Sequence, residues 1–267
     1  MADSLERRVA IVTGAGGAIG GAIAQRLIAA GARVMLADEN DQSLSAAVAN
    51  LKAPAEQVAK FHVRAHDRLG AANMLAATLD AFDDVDILVN IPRSTQPGSF
   101  ADLDGAGLSE ALQLNVVNSF LLAQAVARHL VERLEADRDA YPGTILNVSS
   151  IAARRTVPEL LAYSVSCAGL DQLTRSMSAD LASYGIRVNG IALGAVMTER
   201  MRQVLRERDD LRAELVRVTP LGRIGEAEEA AGVALFLLSS AASFVTGEIV
   251  TVDGGRSVLD PLASPVR

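Results

Sequence analysis

The chain is poor in cysteine: Cys167 stands alone in 267 residues, so no disulfide can form within it. That excludes a disulfide-stapled fold and points to a reducing compartment. Long hydrophobic runs are also missing. Stretches such as Val233–Leu238 fall far short of the ~20 apolar residues that cross a bilayer. The start, Met1 to Arg8, is polar and leads straight into an apolar strand, so no signal peptide is read. Net charge is −7 without any block of like charge, which argues against nucleic-acid binding. Lysine is nearly absent, with only Lys52 and Lys60. No internal repeat, linker or metal-ligating cluster is read. The expectation is a soluble cytoplasmic protein, one domain over residues 1–267, with a tail from 255 that wraps a neighbour or frays.

What is present is a core-forming composition, 50% hydrophobic and 21% charged. Short β-branched runs alternate with helical patterns. Strands are expected at Val9–Thr13, Arg33–Asp38, Phe61–Ala65, Asp86–Asn90, Thr144–Ser149, Arg187–Leu193 and Glu248–Val252. Between them the periodicity predicts helices over Ile19–Ala30 (closed by Gly31), Gln42–Leu51, Leu69–Phe82, Ala106–Glu135, Leu161–Tyr184 and Glu226–Ser239, with a helical lid over Val196–Arg217. Such alternation gives an α/β fold, a Rossmann-type doubly wound parallel sheet of about seven strands with helices on both faces.

Thr13-Gly14-Ala15-Gly16-Gly17-Ala18-Ile19-Gly20 lies between the first strand and the first helix. Glycines there allow a tight turn and close backbone approach to a pyrophosphate, beside the free N–H groups of a helix start. Asp38 closes the second strand. Its carboxylate can accept hydrogen bonds from an adenosine ribose and would repel a 2′-phosphate, which favours NAD(H) over NADP(H). The alternative is that Asp38 caps the next helix.

Over nearly its whole length the chain resembles the short-chain dehydrogenase/reductase family. The glycine turn is similar to that family's T-G-x-x-x-G-x-G, with Ala18 at the usual second glycine. Leu114-Asn115-Val116-Val117 matches the catalytic Asn, Ser150 the Ser that ends the fifth strand, and Tyr163, thirteen residues on, the Tyr. Val188–Gly194 followed by Thr198 resembles the nicotinamide-side loop, and Val252-Asp253-Gly254-Gly255 the usual chain end. The resemblance implies an oxidoreductase acting on a secondary alcohol or ketone. Tyr163 would exchange the proton, Ser150 would hold the substrate oxygen and Asn115 would support a proton relay. Gly14, Gly16, Gly17, Ile19, Gly20, Asp38, Asn90, Val196 and Thr198 would bind the cofactor. Arg93, Arg154, Arg155, Met197 and Met201 lie where the family lines its substrate pocket. A homo-oligomer, dimer or tetramer, is also implied.

Departures cluster around the same ligand. The family's Lys, four residues after Tyr163, is here Cys167. A neutral thiol does not lower a phenol pKa by charge; a shift of about three units, roughly 4 kcal/mol, is missing. Cys167 is read either as a small buried filler or as a nucleophile in the first turn of a helix. The fourth strand should end N-N-A-G and instead reads Asn90-Ile91-Pro92-Arg93; Ala65 or His66 replaces an Asp at the end of the third strand; Leu193 replaces a Pro. Arg93 either restores a charge near the ribose or is a solvated loop residue. The competing function classes are a degenerate binding or assembly subunit, and acid–base chemistry by Tyr163 without hydride transfer.

Overall fold

The computed structural model describes residues 4–51, 53–63, 67–91 and 97–259. Seven strands form one wholly parallel sheet: β1 Val9–Thr13, β2 Arg33–Asp38, β3 Val58–His62, β4 Ile87–Asn90, β5 Thr144–Ser150, β6 Arg187–Leu193 and β7 Ile249–Val252. Their order is β3-β2-β1-β4-β5-β6-β7. The order reverses between β1 and β4, and a crevice opens there beyond the strand ends.

Alternation along β1 divides the core. Ala10 and Val12 face the helices α1 (Ala18–Ala29) and α9 (Ala227–Leu238). Val9 and Ile11 face the other layer, with α3 (Arg68–Phe82) and α5 (Asn118–Ala136). Most strands are buried on both faces, hence their near-continuous apolar runs. The remaining helices are α2 (Asp41–Asn50), α4 (Gly105–Leu112), α6 (Leu161–Leu181), α7 (Glu199–Glu207) and α8 (Asp209–Arg217).

Three elements differ from expectation. The third strand begins three residues earlier, at Val58, and ends at His62. It is the sheet edge, so an exposed Lys60 is tolerated; its ammonium reaches Asp41 at 3.1 Å. The long helix 106–135 is two helices joined by one π turn, Gln113–Val117. The lid is two short helices broken at Arg208, and residues 196–198 precede them as loop. Gly31 behaves as expected: at φ +96° it ends α1, with Ala32 N–H donating to the Leu27 carbonyl at 3.0 Å. Ala65, His66, Pro92, Arg93 and the tail beyond 259 lie outside the described residues.

At the strand ends opposite the crevice a charged cluster locks β1 to β4. Asp86, 2% exposed, accepts from Val9 N–H at 3.0 Å and meets Arg133 at 3.0 Å. Arg133 also reaches Asp84 at 2.6 Å, and His129 meets Asp84 at 2.8 Å. Burial pushes the Asp86 carboxyl up, against the Val9 N–H and the two arginine charges. Burial also raises Asp84, but hydrogen bonds from His129, Val85 N–H and Arg133 outweigh it and hold the carboxyl below its usual range. Asp84 therefore stabilises the fold at neutral pH and ceases to do so as pH falls through that depressed range. Replacing Arg133 with Ala leaves the buried Asp86 with only the longer contact to Arg8, at 3.8 Å. Thermal and urea unfolding of Arg133→Ala should show a loss of about 3 kcal/mol, on the order of 10 °C. Arg133→Ala, D86N should recover part of it; no recovery would remove the Asp86 charge as the cause.

Candidate active site

The cleft is built where β1, β2 and β4 end. Between β1 and α1 the chain turns through Gly14 at φ +60°, a conformation that side chains disfavour. Gly20 permits the close approach of α1: a Cβ there would lie 2.3 Å from the Gly14 carbonyl oxygen and 2.8 Å from Ala15 Cα. Gly17 precedes α1 without a side-chain cap, so backbone N–H groups at the helix start stay available to an anion. Thr13 ties this turn to the neighbouring strand, accepting from Ile91 N–H at 3.0 Å.

Asp38 stands at the mouth. Its carboxylate accepts from Gly16 N–H and from Asn40 N–H, each at 2.9 Å. It does not cap α2; Asn40 does, accepting from Ser43 N–H at 3.0 Å. The cleft has a volume of about 700 Å³, within the range of small-molecule sites. Gly14, Gly16, Gly17, Ile19, Gly20, Asp38 and Thr198 all line it, as expected. Two expected cofactor residues do not. Asn90 is a buried tie, donating to Asn147 Oδ1 at 2.9 Å, while Asn147 donates to Thr174 Oγ1 at 2.8 Å. Val196 is buried in a bridge with Gly225.

Ser150, at the end of β5, and Tyr163 and Cys167, one turn apart on α6, form one contact group. Ser150 and Cys167 both act on the Tyr163 phenol, while the Ser150 hydroxyl donates to the Leu193 carbonyl at 3.4 Å and accepts from Ala152 N–H at 3.2 Å. Asn115 sits in the π turn, fully buried, donating to Ser166 Oγ at 2.9 Å; Ser166 in turn donates to the Tyr163 carbonyl at 2.9 Å. Asn115 thus braces the turn that carries the tyrosine. Burial, and then the adjacent thiol, push the Tyr163 phenol far above its ordinary value; the Ser150 hydrogen bond and the Arg200 charge oppose this. Burial pushes the Cys167 thiol up to about 11, against its hydrogen bond with Tyr163 and with the help of the Asp171 charge. A thiol that stays protonated at neutral pH and is 0% exposed is a filler, not a nucleophile.

The expected substrate residues scatter. Arg154 lies 3.7 Å from Asp171, and Arg155 donates to the Ser257 carbonyl at 2.9 Å. Met197 lines a separate hollow behind the glycine turn, beside Gln25 and Glu226. Met201 is half-buried on α7, where its N–H bonds the cap Thr198 at 3.1 Å. Arg93 lies outside the described residues. Three residues were missed: Asn118 and Arg200, which line the cleft, and Asp171. Asp171 is the only charge in the buried stripe 166, 167, 170, 171, 174, 178 of α6, a pattern visible in the sequence. Its Oδ1 has no hydrogen-bond partner, and burial pushes its carboxyl up despite Ser149 and Arg154. Among the described residues no group of side chains could hold a metal ion, and no helix is long and apolar enough to cross a membrane.

Comparison with known proteins agrees with this geometry. A family model described as enoyl-(acyl carrier protein) reductase matches residues 14–257. The chain is 34% identical to 7alpha-hydroxysteroid dehydrogenase of Escherichia coli K12 over 253 residues, 94% of either chain. It is 36% identical to galactitol 2-dehydrogenase (L-tagatose-forming) of Cereibacter sphaeroides, covering 95% of this chain and 96% of that one. A solved 7 alpha-hydroxysteroid dehydrogenase, complexed with NADH and 7-oxo glycochenodeoxycholic acid, superposes with a TM-score of 0.85 at 32% identity, covering 95% of each chain. Levodione reductase gives 0.87 at 29% identity, over 95% of this chain and 98% of that one. The chain belongs to the short-chain dehydrogenase/reductase family of oxidoreductases.

Proposed function

We propose that this protein is an NAD(H)-dependent oxidoreductase that interconverts a secondary alcohol and a ketone. The observation that carries the cofactor assignment is the Asp38 carboxylate at the mouth of a glycine-walled cleft. Where a Cβ at Gly20 would meet backbone, the cradle has room only for close main-chain approach, which fits a dinucleotide phosphate bridge. Gly14, Gly16, Gly17 and Thr198 would hold the cofactor, with Asp38 at the adenosine ribose. When bound, its nicotinamide supplies or accepts the hydride.

The chain's own contribution is proton handling. Ser150 holds the substrate oxygen by a hydrogen bond. The Tyr163 hydroxyl, which lies within the influence of Ser150 and Cys167, gives a proton to that oxygen in reduction and takes it in oxidation. With a thiol at position 167 the phenol stays protonated at neutral pH and gives up that proton reluctantly, so turnover at pH 7 is slowed. The substrate is a small molecule, in keeping with the steroid and polyol named for its relatives.

Titration calorimetry decides the cofactor. NADH should bind in the micromolar range and NADPH far more weakly, and Asp38→Ala should narrow the difference. Absence of NADH binding at millimolar concentration would sink the redox assignment. With a ketone substrate in hand, Tyr163→Phe should remove turnover. Cys167→Lys should raise alcohol oxidation at pH 7 by up to roughly a thousandfold, the counterpart of three units of phenol pKa; an unchanged rate in a variant with a normal melting curve would count against a detuned tyrosine. Maleimide at pH 8 should label Cys167 slowly in the folded protein and rapidly in urea, because the thiol titrates near 11 and is enclosed; equal rates would restore it as a reactive group.

A further inference from the structure

Among the described residues the cleft is lined by four carboxylates, Asp38, Glu39, Asp67 and Glu199, and by one cation, Arg200. A dinucleotide brings two negative charges on its phosphate bridge. The glycine turn answers these with N–H groups, which carry only partial charge. Without a cation the wall would repel the ligand it is shaped for.

Three observations show that the Arg200 charge is not engaged elsewhere. It makes no ion pair among the described residues, whereas its neighbour Arg202 meets Glu199 at 3.5 Å. It lies in the first turn of α7, where the helix dipole disfavours a cation, and the cap of that helix comes from Thr198. It lines the cleft together with Gly14, Gly16, Gly17 and Thr198, the residues proposed to hold the dinucleotide. Among the described residues position 167 offers no second charge, being a buried thiol.

Resting on the dinucleotide reading above, we infer that Arg200 is the anchoring cation of this cleft, carried on the α7 lid and paired with the phosphate bridge of the bound dinucleotide. The lid is thereby drawn over the cofactor by the cofactor's own charge. Selection follows as well: ligands with the charged bridge are held, and the neutral nucleoside is not.

The test uses ADP-ribose, NADH and adenosine with the full chain, by calorimetry at low and moderate salt. In Arg200→Ala, ADP-ribose and NADH should bind about tenfold more weakly, the size of one charge-assisted contact, while adenosine should bind as before. Arg200→Lys should keep most of the affinity. Raising salt should weaken ADP-ribose in the unaltered protein and much less in Arg200→Ala. Equal ADP-ribose affinity in both proteins would overturn the role of Arg200 and leave the cofactor assignment standing. No binding of NADH or ADP-ribose by the unaltered protein would overturn both. A melting curve for each variant, expected unchanged because Arg200 is exposed, separates lost contact from lost fold.

Discussion

Everything at the working end of this molecule depends on the contact between the glycine turn and the first turn of α1. The carbonyl of Gly14 and the backbone of Ala15 press against Gly20 so closely that a single methyl group would not fit. That contact aims the start of α1 at the crevice between β1 and β4. Asp38, Ser150 and Thr198 then arrive at the same rim because parallel strands all end on one side of the sheet. The candidate catalytic and binding groups, from distant parts of the chain, are thus gathered by topology and need few contacts with one another.

Much of this was legible in the order of residues. Strand–helix alternation indicated the layered parallel sheet, because strands buried on both faces must be apolar throughout. The glycine turn, Asp38, Ser150 and Tyr163 were picked out by spacing, and all but two of the residues read as cofactor contacts, Asn90 and Val196, line the cleft. What escaped were features set by side-chain direction. Asn90 sits at a strand end, as a ligand contact should, yet its amide turns sideways to Asn147. Arg154 and Arg155 sit in the right loop but are held by Asp171 and by a carbonyl of the chain end. Spacing reports which residues are near a site; partners decide which of them face it. The edge strand was misplaced for a related reason, since a half-exposed strand lacks the apolar run that marks its neighbours.

The neighbourhood of Tyr163 is consistent in its chemistry. Thiol, phenol and a buried carboxyl lie within two turns of α6, and burial favours the protonated form of each. Such a group holds protons at neutral pH and releases them reluctantly. Positive charge reaches this group from Arg175 on the same helix and from Arg154 and Arg200 outside it.

The π turn at Gln113–Val117 has a consequence for how this helix pair can evolve. Inward-facing Ala111, Asn115 and Ser119 are spaced by four residues. In an unbroken α-helix eight residues advance roughly 800°, about 80° past two full turns, and the three would spiral away from α6. One wide turn absorbs that surplus and resets the phase, so the faces before and after it look the same way. The segment therefore behaves as a helix carrying an accommodated insertion. Shortening it by one residue would leave both flanking helices intact as helices, while rotating Asn115 off the tyrosine's turn: a change in orientation with almost no change in content.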